Sequence, residues 1–293
     1  MEKISTFTID GGINCVKAEG IPRLNIYKTF DCGQCFRFDP VSEFGNKYEF
    51  GGVAFGRYVI FAQNSDDEII IYNSTKEDYL NIWRSFLSLD VDYDKINLEI
   101  KSAIKSDHMA RACAYADGIR ILRQDGWEAI CSFIISQNNN IPRIKKIISQ
   151  MCQKYGQSVD FLGKSYYTFP SPQVLFDAGA DQILLLKTGF RAKYIYDATK
   201  SILEGSVDLE KIKAEDNFNN CLEVLCTIKG IGPKVACCAL LFGFGKTEAF
   251  PIDVWIKRVI ENHFPEGINI DALGKNAGIA QQYLFYYERY NSK

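Results

Sequence analysis

Leu225-Cys-Thr-Ile-Lys-Gly-Ile-Gly-Pro-Lys-Val-Ala-Cys-Cys-Ala-Leu-Leu241 reads as two helices joined by a tight hairpin. Gly230 and Gly232 permit the turn and leave its backbone clear of side chains. Pro233 fits the first position of the second helix, where a missing N–H costs nothing. The hairpin amides and the positive helix end then face outward together, a phosphate site that needs few Lys or Arg. Read alone, the same residues also suit a plain αα-hairpin. Lys234 falls in the first turn of the second helix, on an otherwise apolar face. The helix dipole and partial burial both disfavour its charge, which leaves a neutral amine as a candidate nucleophile. The competing role is a phosphate-binding or snorkelling surface lysine. Nineteen residues on, Phe250-Pro-Ile-Asp-Val-Trp-Ile-Lys-Arg-Val-Ile260 places Asp253 as the N-cap of an amphipathic helix. Capping alone is one reading of that carboxylate.

Outward from this segment, the second part of the chain is helical in pattern. Trp127, Ile130, Cys131, Ile134 and Ile135 form one apolar stripe, and Ile144, Ile147, Ile148, Met151 and Cys152 another. The first third reads instead as strands. Tyr48–Phe55, Arg57–Ala62 and Glu68–Tyr72 are short β-rich runs separated by Phe44-Gly-Asn46 and Asn64-Ser-Asp-Asp67, too close for crossover helices. From Ser74/Thr75 a helical pattern of Tyr79, Ile82, Trp83 and Phe86 begins. The expected architecture is α+β: an N-terminal antiparallel sheet domain over residues 1–112, then an all-helical domain over 113–293 with its hairpin at 228–233.

Composition narrows the class. The 293 residues are 47% apolar and 24% charged, enough for a large core and wrong for a disordered chain. No apolar run nears the ~18 residues of a membrane span, and Met1–Gly12 lacks the apolar stretch of a signal peptide. A soluble, intracellular protein is expected. Net charge is −2, but the imbalance is uneven: residues 1–112 carry 13 basic against 17 acidic groups, residues 113–293 carry 21 against 19. Any DNA contact should therefore lie mainly in the second part. The ten cysteines mostly occupy apolar segments and read as core thiols. Cys32-Gly-Gln-Cys35 has no second pair at zinc spacing, no cysteine follows Cys238 to build an iron–sulfur loop, and His108 and His263 are too few and scattered for a metal site. No metal and no cofactor is expected.

The hairpin lysine and the aspartate nineteen residues later resemble the helix–hairpin–helix glycosylase superfamily. Within it, the chain resembles the two-domain 8-oxoguanine DNA glycosylases. Phe30-Asp-Cys-Gly-Gln-Cys-Phe-Arg-Phe38 is similar to that family's Gly-Gln-x-Phe-Arg segment, and Ser132–Arg143 to its Ser-Asn-Asn-Asn-Ile-x-Arg. Gly189-Phe-Arg-Ala-Lys-Tyr194 and Ala277-Gly-Ile-Ala-Gln-Gln-Tyr-Leu-Phe285 are similar to two further segments, in order over roughly residues 30–285.

The resemblance implies a TATA-binding-protein-like sheet domain followed by the helical glycosylase domain. It implies a monomer acting on duplex DNA that carries an oxidised purine, with no membrane partner, in the cytoplasm or nucleoid, or the nucleus of a eukaryote. By resemblance, Lys234 attacks the sugar C1′ to form a Schiff base that leads to β-elimination, and Asp253 stabilises the positive sugar. The extruded base is held by Gly33, Cys238, Pro251, Gln281 and Phe285. Gly33 offers its carbonyl to the N7–H of 8-oxoguanine, Gln281 reads the Watson–Crick edge, and Phe285 stacks. A Cys238 thiolate paired with Lys234 four residues away can sense the oxidised purine's dipole; the alternative is a buried core thiol. Asn138, Arg143 and Arg191 match positions that contact the orphaned base, with cytosine preferred. Phe190 stands for the family's usual Tyr as an aromatic wedge. Gly230, Gly232 and Trp255 face phosphates, though Trp255 replaces a usual histidine. Two other classes remain: a hairpin glycosylase for another damaged base, and a hairpin module that binds DNA without catalysis.

Overall fold

The computed structural model describes residues 2–291. A six-stranded antiparallel sheet holds β1 (Lys3–Ile9), β2 (Ile13–Glu19), β3 (Phe38–Pro40), β4 (Tyr48–Ala54), β5 (Arg57–Gln63) and β6 (Glu68–Tyr72), in the spatial order β1-β2-β6-β5-β4-β3. β1 and β2 were absent from the sequence reading; the Asp10-Gly11-Gly12 turn joins them, with both glycines at positive φ. One face of the sheet buries Phe38, Phe50 and Phe61 against Phe30 of α1 (Ile26–Asp31) and Phe86. These rings meet at centroid distances of 4.7–5.9 Å, and such aromatic pairs add to plain area burial. Phe86 ends a helical run of α2 (Lys76–Asp78), a π-turn (Tyr79–Trp83) and α3 (Arg84–Phe86), which Thr75 and Asp78 open with a reciprocal capping box.

The helical body follows: α4 (Tyr93–Ala103), α5 (Asp107–Tyr115), α6 (Gly126–Ser136), α7 (Ile141–Tyr155), α8 (Pro172–Ile183), α9 (Arg191–Leu203), α10 (Leu209–Ala214), α11 (Phe218–Cys226), α12 (Pro233–Phe244), α13 (Val254–His263) and α14 (Ala277–Asn291). α12 is apolar on nearly every face and lies at the centre, packed against α6 and α11. One feature departs from expectation. A hairpin of β7 (Ser158–Phe161) and β8 (Lys164–Tyr167) interrupts the helices, and Tyr166 stacks on Tyr58 of the sheet at 3.6 Å. The two cores also interleave along the chain: Tyr93, Ile100, Met109 and Ala112 pack in the helical core, while Leu122 packs in the sheet core.

The Gly-Gln-Cys-Phe-Arg segment locks the bodies together. Gln34 is fully buried; its amide donates to the carbonyls of Thr29 (2.9 Å) and Arg120 (2.7 Å) and accepts from Leu122 N (2.8 Å). Arg37 crosses to Glu128 of α6 at 3.1 Å in a mostly buried pair. Buried polar groups are tolerable only when paired this fully. All ten cysteines are free thiols. No helix among the described residues is long and apolar enough to cross a membrane.

Candidate active site

The hairpin forms as the sequence suggests. α11 ends at Cys226, and α12 starts at Pro233 with Gly232 as N-cap. Gly230 has φ +89, and a Cβ built there falls 2.1 Å from Tyr194 Cγ, so only glycine fits. Tyr194 of α9 is thus the floor on which the turn rests. Gly232 has open space around it, which leaves its backbone approachable. Asp253 caps α13, its carboxylate accepting from Ile256 N at 2.9 Å. This cap fixes the carboxylate at the helix end, beside the cleft.

That cleft has a volume of about 940 Å³ and is lined from both bodies. Gly33, Lys234, Cys238, Asp253, Gln281 and Phe285 all face it, and Pro251, Asn138, Gly232 and Trp255 contribute to its walls. Gly33 takes φ +82 directly below Phe285, whose Cε1 lies 3.5 Å from where a Cβ would stand. Gln282 anchors the same loop by donating to Cys32 O at 2.8 Å. α14 thereby holds the Gly33 loop against the Phe285 ring.

Two side chains in the cleft show its chemistry. Gln281 is 4% exposed, and its Oε1 has no hydrogen-bond partner. An unmet buried acceptor costs about 1–3 kcal/mol, so this amide is poised for something absent from the free protein. Replacing it should separate stability from activity. Gln281→Met is expected to leave the urea midpoint unchanged or higher while the single-turnover rate of whatever reaction the cleft performs falls about 10- to 100-fold; a lower midpoint would show that the amide is structural. Cys238 hydrogen-bonds to Lys234, but burial outweighs that neighbour and pushes the thiol up to about 11. Of the two states left open for this residue, desolvation favours the neutral thiol in the free protein. At neutral pH the group is an uncharged wall.

The expected DNA-facing residues divide into three kinds. Asn138 is exposed at φ +46, a left-handed conformation that asparagine tolerates. Phe190 is 53% exposed, edge-on to Tyr194 at 5.7 Å and over the Arg191 guanidinium at 4.4 Å. Arg143 is exposed, with one long contact to Lys187 O at 3.4 Å. Arg191 is of another kind. It is 3% exposed and donates to the carbonyls of Gln137, Thr188 (3.1 Å) and Asn138 (2.9 Å). Four of its five N–H groups bond the backbone, so in the free protein it holds the Asn138 loop in shape. Trp255 is half-buried at the cleft wall, with Arg258 5.7 Å from its ring.

Gln137 was not singled out from sequence. Its Nε2 donates to Gly230 O at 3.1 Å while its own carbonyl accepts from Arg191 Nε at 2.9 Å. One residue therefore ties the Asn138 loop to the hairpin. Its position inside the Gln-Asn-Asn-Asn run was the available signal.

A glycine hairpin, a lysine one turn beyond it and a capping aspartate on one cleft define a helix–hairpin–helix base-excision fold. Residues 131–269 match the HhH-GPD superfamily of base excision DNA repair proteins, and residues 16–130 match the 8-oxoguanine DNA glycosylase N-terminal domain. The chain belongs to the 8-oxoguanine DNA glycosylase family. It is similar over 99% of its length to MBOgg1, solved with a low-affinity DNA ligand, at 37% identity, 100% coverage of that chain and a TM-score of 0.89. It is also similar to the Clostridium acetobutylicum 8-oxoguanine glycosylase/lyase, solved with double-stranded DNA containing cytosine opposite 8-oxoguanine: 34% identity, 99% of each chain, TM-score 0.89. A Methanothermobacter thermautotrophicus protein named "Probable N-glycosylase/DNA lyase" is 34% identical over 202 residues, 59% of this chain and 64% of the relative. The chain thus spans just under two thirds of that relative's length.

Proposed function

We propose that this chain, acting as a monomer, excises 8-oxoguanine from duplex DNA, preferring cytosine opposite, and then cleaves the strand. The observation that supports this most is the convergence of Lys234, Asp253, Gln281, Phe285 and Gly33 on one cleft large enough for a purine. The target base leaves the stack and enters that cleft. Lys234 Nζ forms a bond to C1′ as the C1′–N9 bond breaks; the electron pair leaves with the base, which takes up a proton. Asp253, held ready by its cap, stabilises the positive charge that develops on the sugar. Nζ then gives up a proton and the C1′–O4′ bond opens, its electron pair and a proton going to O4′; the iminium so formed acidifies the C2′ hydrogen, and loss of that proton expels the 3′ phosphate. Gln281 gives its unmet acceptor to the Watson–Crick edge, the Gly33 carbonyl receives N7–H, and Phe285 stacks on the ring. Asn138 and Arg143 meet the orphaned cytosine, Phe190 fills the gap, and the hairpin at Gly230 and Gly232 holds phosphate with Trp255 nearby.

Borohydride reduction during reaction tests this. A covalent adduct is expected with an 8-oxoguanine·cytosine duplex, and weaker capture when adenine lies opposite. Equal capture from undamaged duplex, or none from either, removes the reading.

The neutral Cys238 carries its own expectation. Cys238→Ala should change the preference for 8-oxoguanine over guanine by less than about threefold, since no thiolate dipole is lost. The pH–rate profiles of variant and parent should superimpose from pH 6 to 9, below the thiol's value of about 11. A collapse in preference of more than about tenfold would mean that DNA binding ionises the thiol.

A further inference from the structure

Away from the cleft, α5, α13 and α14 bring together two histidines that the sequence separates by 155 positions. His108 and His263, read as too scattered to act together, stack with ring centroids 3.7 Å apart and planes 14° from parallel. Glu288 of α14 reaches to 3.8 Å from His108 Nε2, beyond hydrogen-bond distance. His108 is 6% exposed, boxed edge-on by Tyr287 (5.2 Å) and Phe264 (6.2 Å), and its Nε2 is sealed from solvent with no hydrogen-bond partner. One ligating atom from each of His108, His263 and Glu288 lies within 4.8 Å of the others.

We propose that His108, His263 and Glu288 form a binding site for a divalent transition metal of the zinc type. Two imidazoles and a carboxylate are a donor set that suits zinc, cobalt or nickel over magnesium or calcium. A tetrahedral ion with ligands at about 2.0–2.2 Å needs donor atoms about 3.4 Å apart, so the cluster must tighten by roughly an ångström. In-plane lone pairs of parallel rings never converge, so one ring must also turn. His263 is the exposed last residue of α13 and can turn without disturbing the core. Its place at the negative end of the helix dipole favours a cation. Arg111 on α5 opposes a cation, whereas Glu288 favours one. The ion would fasten the far end of the helix that Asp253 caps to α14, which carries Gln281 and Phe285.

Cobalt(II) chloride titrated into the full-length chain tests this and separates the site from the ten cysteines. One equivalent is expected to give the strong visible d–d bands of four-coordinate cobalt with no thiolate charge-transfer band, and zinc chloride should displace it. His263→Gln, at an exposed position, should leave the metal-free Tm unchanged and weaken cobalt binding at least tenfold, and Glu288→Gln should weaken cobalt binding as much. Zinc at a hundredfold excess over Kd should raise the Tm by about 5 °C in the parent and not in His263→Gln. Thiolate bands, an affinity unchanged in His263→Gln, or no spectrum at millimolar cobalt would each overturn the proposal.

Discussion

Lys234→Gln is expected to abolish borohydride capture and to lower base excision by about a thousandfold or more. The amide keeps the length and polarity of the side chain but has no lone pair basic enough to attack C1′. Lys234 is half-buried at the cleft and outside the packed core, so the variant's Tm should stay within a degree or so of the parent. Affinity for a duplex carrying 8-oxoguanine should fall less than tenfold, because the hairpin backbone, Phe190 and Gln281 are untouched. That separation is the informative part. A variant that binds, folds and still forms the adduct would move the nucleophile elsewhere; one that fails to bind would reduce Lys234 to a phosphate contact. The measurements are gel capture, single-turnover kinetics and thermal melting on the same preparation.

Gly230→Ala is expected to have the largest effect on structure near the site. Its φ of +89 disfavours any side chain, by about 1–2 kcal/mol. The added methyl also overlaps the near end of the Tyr194 ring, at 2.1 Å from Cγ, where the side chain cannot swing aside. Overpacking of that kind adds about 1–3 kcal/mol. The turn must lift from its floor, which breaks the Gln137 bond to the Gly230 carbonyl and shifts the first turn of α12 with Lys234. Loss of about 3 kcal/mol of stability is therefore expected together with loss of DNA affinity. Tyr194→Ala in the same chain should restore part of the stability, since it removes the overlap but leaves the backbone strain. If the double variant recovers nothing, the ring is not the obstacle.

How much of this was legible beforehand depends on how local each signal is. The hairpin, Lys234 and the Asp253 cap were readable because glycine, proline and capping aspartate act within a few residues of themselves. β4 to β6 were readable because alternating β-branched runs with short turns leave little choice. β1 has an almost wholly exposed pattern, so its strand exists by pairing with β2, although the Asp-Gly-Gly turn between them was a usable sign. β7 and β8 are four residues each, too short for periodicity to register. The bracing contacts of Arg191 were not legible because burial is a property of the assembled loop: three backbone carbonyls, two of them over fifty residues away, capture its guanidinium. Which core receives the helices from Tyr93 onward was hidden for a similar reason, since a helical pattern says nothing about its packing partner. The meeting of His108 with His263 required the packing of three helices, which no spacing rule contains.

α14 has one further implication. Its side chains grip the Cys32 loop through Gln282 and reach Asp31 O from Arg289 at 2.7 Å, while its opposite faces are sunk in the helical core. A jaw-like opening between sheet and helices would have to tear that helix from one side or the other. Bonds on both sides of α14 therefore oppose any hinge between sheet and helices that would widen the cleft.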